Sequence, residues 1–235
     1  MPPRSPAVSF PGESTKYRAA RVKLLAAERD LRKQMETVAK LRRRLPPGGA
    51  VREDYIFEEG PADLAIKNRP RQIRMSELFE RDLDTLAIYS YMYGPSMKAP
   101  CVMCTSIVDG LNGSAPHIRQ RVNFAIVAKS PIERIRDFAR ERNWSNLRIL
   151  SSAANTYNLD YRGEREDGTQ MPSLNVFVRR NGKIHHFYNT ELLFAPTERG
   201  QDSRHVDLLW PVWNLFDLTP DGRGTNWQPR LRYDA

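Results

Sequence analysis

The sequence predicts an α/β protein: a mixed β-sheet with flanking helices, an N-terminal hairpin, and a long amphipathic helix ahead of both. Three observations carry this. Strand-length apolar runs at 86–93, 122–128 and 147–150 alternate with helix-period segments, a pattern that needs crossovers between parallel strands. Asn181-Gly182 separates two further strand-like runs, Ser173 to Arg180 and Lys183 to Asn189, which adds an antiparallel hairpin to that sheet. Between Ser14 and Leu45, by contrast, apolar residues recur at helical spacing.

In chain order, residues 1–13 read as a disordered tail, because Met1 to Gly12 holds four prolines and little apolar content. Residues 14–49 read as a basic helical arm. Tyr17, Leu24, Leu31, Val38 and Leu45 fall seven apart, with Ala20, Ala27, Met35 and Leu41 beside them, and Pro46-Pro47-Gly48-Gly49 ends the helix. The formal charge of +9 is concentrated here: +8 lies between Ser14 and Leu45, leaving +1 elsewhere. A basic face with an apolar stripe suits packing on its own domain or on a second copy. Nucleic acid is not the expected partner, since charge alone specifies no groove or base contact.

Residues 50–235 form the expected folded domain. Tyr55-Ile56-Phe57 and Gln72 to Met75 make the N-terminal hairpin, and Ser76 to Phe79 a helical turn. Leu86 to Tyr93 is apolar on both faces and so a central strand, with Tyr89, Tyr91 and Tyr93 on one side and Ile88 and Met92 on the other. That tyrosine row reads first as core packing and second as the lining of a substrate cleft. Thr105 to Leu111 reads as a short helix, interrupted by Gly110, Gly113 and Pro116. Ser130-Pro131-x-Glu133 has the form of a capping box opening the next helix. Tyr161 to Gln170 is a charged loop, and Val206 to Leu218 a last apolar segment, whose Trp210 and Trp213, with Phe216 and Trp227, suit a cover for the core.

The chemistry is concentrated in Pro100-Cys101-Val102-Met103-Cys104, which holds the two cysteines of the chain. On a helix, positions three apart share a face, so the sulfurs can meet in a disulfide. So few cysteines in 235 residues argue against a disulfide-built secreted scaffold, and no basic start followed by an apolar stretch marks a signal peptide; the cytoplasm is the expected location, with no membrane span. Zinc needs four ligands. His117 stands at a finger-like distance from Cys104, but Gln120, Arg121 and Val122 occupy the next ligand positions, and adjacent His185 and His186 point opposite ways on a strand; no metal and no bound cofactor are expected. No nucleophile elbow and no glycine-rich phosphate loop is present.

This order, with the cysteine pair after the first core strand, resembles the thioredoxin fold in its peroxiredoxin-like variant. Asp54-Tyr55-x-Phe57 after a basic helix and Leu45-Pro46, Tyr91-Met92-Tyr93-Gly94 before the pair, and the run from Asp217 to Trp227 resemble a thioredoxin-like family of unknown function, predicted to be dithiol–disulfide oxidoreductases. The resemblance runs from about Lys16 to the C-terminus. At a helix start, unpaired N–H groups favour the Cys101 thiolate, with Lys98 as a further aid, so Cys101 is expected to attack a substrate disulfide and Cys104, one turn deeper, to resolve the mixed disulfide. The resemblance implies that Met171 and Pro172, at the place of the fold's cis-proline, receive a substrate strand; a trans-proline starting an edge strand is the other reading. Tyr93, Lys98 and Pro100, close to the motif, complete the expected substrate surface.

The departures are specific. Thioredoxins carry Trp before the first cysteine and Gly-Pro between the two, where this chain has Pro100 and Val102-Met103, and no acidic residue stands on the preceding strand. Peroxiredoxins need Thr or Ser at the position of Lys98 and Pro at that of Gly94. A thiol–disulfide oxidoreductase without cofactor is therefore the leading expectation. A thiol-dependent peroxidase and a non-enzymatic redox-sensing or interaction module are the alternatives. Expected partners are a protein or small-molecule disulfide and, through the arm, a second copy.

Overall fold

The computed structural model describes residues 8–67, 69–80, 82–201, 204–224 and 227–233, so the first seven residues of the expected tail lie outside it. The chain divides into two units, one ending at Pro46 and the other beginning at Pro47. In the first, Ser14 caps α1 (Thr15–Arg43) by accepting the Tyr17 N–H at 3.1 Å. Lys40, Arg42 and Arg43 occupy its last turn, where the helix dipole favours cations. The helix stops short of Leu45 because a residue before proline is driven out of the helical region. No residue of α1 is buried, and Leu24, Leu31, Met35 and Leu41 are each more than half exposed.

The second unit is built on a seven-stranded mixed sheet in the order β2-β1-β5-β4-β3-β6-β7. The predicted hairpin forms from β1 (Ile56–Glu59) and β2 (Arg71–Arg74), antiparallel, followed by a 3₁₀ turn at Met75–Leu78. At the centre, β3 (Thr85–Ser90) pairs parallel with β4 (Asn123–Ala128), and β4 parallel with β5 (Ile149–Ser151). On the other side of β3, β6 (Ser173–Arg180) pairs antiparallel and leads through the Asn181-Gly182 turn into β7 (Lys183–Asn189). Asn181 and Gly182 have φ of 50° and 74°, as a two-residue hairpin turn of the mirror-image type requires. Four consecutive strands in the order β4-β3-β6-β7, with a helix between β3 and β4, are the core of the thioredoxin fold.

Alternation along the central strands builds one core on each face. Ala87 and Tyr89 of β3 and Phe124, Ile126 and Ala128 of β4 face α2 (Val102–Ile118) and α3 (Ile132–Glu141). Leu86 and Ile88, with Ala125 and Val127, face the other way, toward Met75, Leu78 and the short α4 (Tyr157–Asp160). A strand apolar on both sides has no solvent-tolerant face and must be central. Val206 and Trp210, just before α5 (Val212–Phe216), close the first core, and Trp227 stacks on Trp210 at 5.9 Å.

Several elements differ from expectation. α2 begins three residues earlier than predicted and runs through both glycines and Pro116. A Cβ on Gly110 or Gly113 would meet nothing within 4 Å, so neither glycine marks a close approach that breaks the helix. Pro116 lies in the last turns, and the Asn112 carbonyl that its missing N–H leaves free accepts the Asn146 side-chain amide at 3.3 Å. The capping box does not form: Pro131 is the N-cap, and Ser130 is buried, its hydroxyl accepting from Arg134 at 3.4 Å and its carbonyl from Ser151 at 2.7 Å. β3 ends at Ser90, short of Tyr93, and Met92 packs with the tyrosines of the first core, not opposite them. β5 starts at Ile149, although the Arg148 carbonyl before it still accepts the Ile126 N–H at 2.9 Å, and α4 had no counterpart in the sequence pattern.

Candidate active site

The chain leaves β3 at Ser90 and makes one further ladder bond, from Tyr91 N–H to Val127 O at 2.8 Å. It then loops through residues 94–100 and returns, so that Cys101 N–H donates to Met92 O at 3.1 Å. This return puts Cys101 at the N-cap of α2, with φ −60° and ψ 127°. Its carbonyl accepts the Thr105 N–H at 2.9 Å and the Thr105 hydroxyl at 2.8 Å, and Thr105 Oγ1 meets Tyr91 Oη at 2.7 Å. The two thiols are free, Cys101 partly exposed and Cys104 buried one turn deeper.

The loop is fixed by a residue the sequence reading missed. From α3, Arg134 donates to the carbonyls of Gly94 at 3.1 Å, Pro95 at 3.2 Å, Met97, and Lys98 at 3.4 Å. Its guanidinium also lies 4.3 Å from the Tyr93 ring centroid. A planar fork with five donors suits a string of turned carbonyls as no other side chain does. Nothing in its spacing from the cysteines, thirty or more residues away, signals that contact.

Hydrogen bonding sets the two sulfurs apart. The Cys104 thiol donates to Cys101 and lowers the Cys101 pKa, burial opposes this, and the backbone N–H groups of Cys104 and Met103 lower it further, to about 6. Of these, Cys104 N–H lies 3.5 Å from the Cys101 sulfur. Lys98 is exposed and is not among the groups acting on Cys101, whereas the two N–H groups of the helix start are. Cys104 moves the other way: as the donor to Cys101, and being buried, it holds its proton well above the usual thiol range.

The remaining predicted positions divide. Ser90 pairs with Ser173, so Pro172 and Met171 come next along β6, level with Tyr91 and Met92 at the cysteine end of the sheet. No cis peptide bond occurs among the described residues, so the Met171–Pro172 bond is trans. Met171 N–H donates to Gly163 O at 2.9 Å, so that N–H is already engaged. Tyr93 and Pro100 are buried, whereas Lys98 is exposed. His185 and His186 bond Gly48 O at 3.2 Å and Asn175 Oδ1 at 3.0 Å. Among the described residues no group of three or more His, Cys, Asp or Glu is placed to hold a metal ion. A cavity of about 460 Å³ opens at the opposite ends of β3, β4 and β5, lined by Leu86, Asn123, Arg148 and Ile149 among others, away from the thiols.

Fold and site together define a thioredoxin-fold protein with a dithiol at the start of the helix that follows its first parallel strand. The chain belongs to the family described as bacterial protein of unknown function (DUF899), whose model matches residues 7–234. No curated protein matches it. Among solved structures it is similar to the reduced 2-Cys peroxiredoxin of Plasmodium vivax, with 13% identity, 69% of this chain and 94% of that one covered, and a TM-score of 0.44. It is similar also to thioredoxin peroxidase I of Plasmodium yoelii, with 12% identity over 79% and 100% of the chains and a TM-score of 0.45. A peroxiredoxin-like protein from Aquifex aeolicus gives 14% identity, 62% and 75% coverage, and a TM-score of 0.39. No helix among the described residues is long and apolar enough to cross a membrane.

Proposed function

We propose that the chain is a thiol–disulfide oxidoreductase in which Cys101 is the nucleophile and Cys104 the resolving cysteine. The observation that carries this is the asymmetry of the pair: a partly exposed helix-start thiol lowered to about 6, and a buried partner that keeps its proton. At neutral pH Cys101 is then largely thiolate, the form that attacks a disulfide. Its sulfur bonds to one substrate sulfur and the other leaves as a thiolate. Cys104 then gives its proton to the thiolate already released and attacks Cys101 in the mixed disulfide. The internal disulfide forms, the second substrate sulfur departs as a thiolate, and two electrons have passed from the pair to the substrate. Lys98, the edges of Tyr93 and Pro100, and the Met171-Pro172 segment frame the approach, with the Met171 carbonyl as acceptor for a substrate N–H.

Trapping tests the division of labour. Cys104→Ser, incubated with a small disulfide such as glutathione disulfide, is expected to hold a stable mixed disulfide by mass spectrometry, and Cys101→Ser to hold none. Equal trapping by the two variants overturns the assignment. Peroxide consumption with a thiol donor, in the absence of disulfide reduction, moves the reading to a peroxidase, and neither activity moves it to a binding or sensing module.

A further inference from the structure

Resting on that reading, one step lacks a partner. Cys104 must become a thiolate to resolve the mixed disulfide, yet burial opposes any charge there, and β3 carries no carboxylate to assist. Tyr89 is on the same face of β3, fully buried in the cluster that contains Cys104. Its hydroxyl makes no hydrogen bond of ordinary geometry, and the group it acts on as a donor is the Cys104 sulfur, with Cys101 next among its neighbours.

A buried unpaired hydroxyl is a cost that phenylalanine at the same place avoids. Tyr91, two residues on, illustrates the ordinary solution, its hydroxyl paired with Thr105 at 2.7 Å. Tyr157, the other buried tyrosine with an unpaired hydroxyl, is surrounded by Tyr55, Phe57 and Tyr161, with no nucleophile among them. The ionisable groups acting on Cys104 are Cys101 across the turn and Tyr89 from the strand. Asp109, the carboxylate of α2, is held by Arg142 and by Trp144 Nε1 at 2.8 Å.

We propose that Tyr89 is the hydrogen-bond donor that stabilises the Cys104 thiolate while the mixed disulfide is being resolved. Burial keeps the phenol protonated, so it donates and does not act as a base. The Cys104 proton passes to the substrate thiolate released in the first attack, and the Tyr89 hydroxyl holds the charge until the sulfur–sulfur bond forms.

Tyr89→Phe removes only that hydroxyl, and its melting temperature is expected to be no lower than that of the natural protein. In Cys101→Ser, with Cys104 the remaining thiol, the Cys104 ¹³Cβ chemical shift titrated against pH reports thiolate formation directly. Adding Tyr89→Phe is expected to move that titration upward by about one pH unit, tenfold in the proton equilibrium. An unchanged titration overturns the proposal, whatever the enzyme's activity. In a single turnover from a mixed disulfide formed on Cys101, Tyr89→Phe is expected to slow resolution about tenfold, with the loss on that step and not on alkylation of Cys101. Resolution at the natural rate also overturns it. If neither form reduces any disulfide, the oxidoreductase reading fails, and the titration still decides whether Tyr89 acts on Cys104.

Discussion

At the scale of single residues, the reactivity of Cys101 depends on one hydrogen bond more than on the charges around it. The Cys104 thiol is the largest influence lowering it, ahead of the backbone N–H groups. Because the pKa is depressed, the thiolate is populated above about 6 and is lost as pH falls through that value. Iodoacetamide alkylation of Cys101 is therefore expected to be near its plateau at pH 7 and half-maximal near pH 6. Cys104→Ala takes away the donor and is expected to move the half-point up by about one pH unit, leaving the two N–H groups to act alone. A half-point near that of an ordinary thiol in the natural protein contradicts this account of the site. That the two cysteines lie close together at the start of one helix was legible from their spacing. The direction of the hydrogen bond between the thiols was not, because burial and donor geometry are set by packing.

At the scale of elements, α3 is a positioning device for the loop before α2. One guanidinium on the helix grips the carbonyls of four loop residues and rests on Tyr93, so the return of the chain to Cys101 depends on where α3 packs. Arg134→Ala is expected to lower stability by about 1–3 kcal/mol and to raise hydrogen exchange in residues 94–101. Arg134→Lys is expected to recover less than half, since an ammonium cannot span those carbonyls. Equal exchange in all three proteins contradicts the role given to Arg134. The strands were the legible elements: the Asn181-Gly182 hairpin has its predicted bounds, and the two-sided apolar character of β3 placed it at the sheet centre. α2 was misread because glycine and proline signals are local. Whether they end a helix depends on what adjoins them, here open space at Gly110 and Gly113 and the Asn146 amide at Asn112. Ser130 misled similarly, since a capping motif in sequence cannot show that its serine is buried and engaged.

At the scale of the molecule, the charge asymmetry visible in the sequence coincides with the structural division. The unit ending at Pro46 carries a basic helix with an exposed apolar stripe, and the nearly neutral remainder carries the dithiol. If the stripe joins two copies, like charges oppose that contact, and screening relieves them. Sedimentation equilibrium is then expected to show self-association that strengthens as salt rises from about 0.05 to about 0.5 M. Deleting residues 1–46 is expected to abolish it, and a deletion variant that associates as tightly as the full chain places the contact elsewhere. The proposed chemistry belongs to the other unit. Its central claim, that Cys101 and Cys104 form one redox couple, is tested most directly by titrating the full chain through glutathione and dithiothreitol buffers and quantifying both thiols by differential alkylation. A single reversible two-electron transition, in which both cysteines become protected together, is the predicted result; thiols that remain alkylatable across the whole range would contradict it.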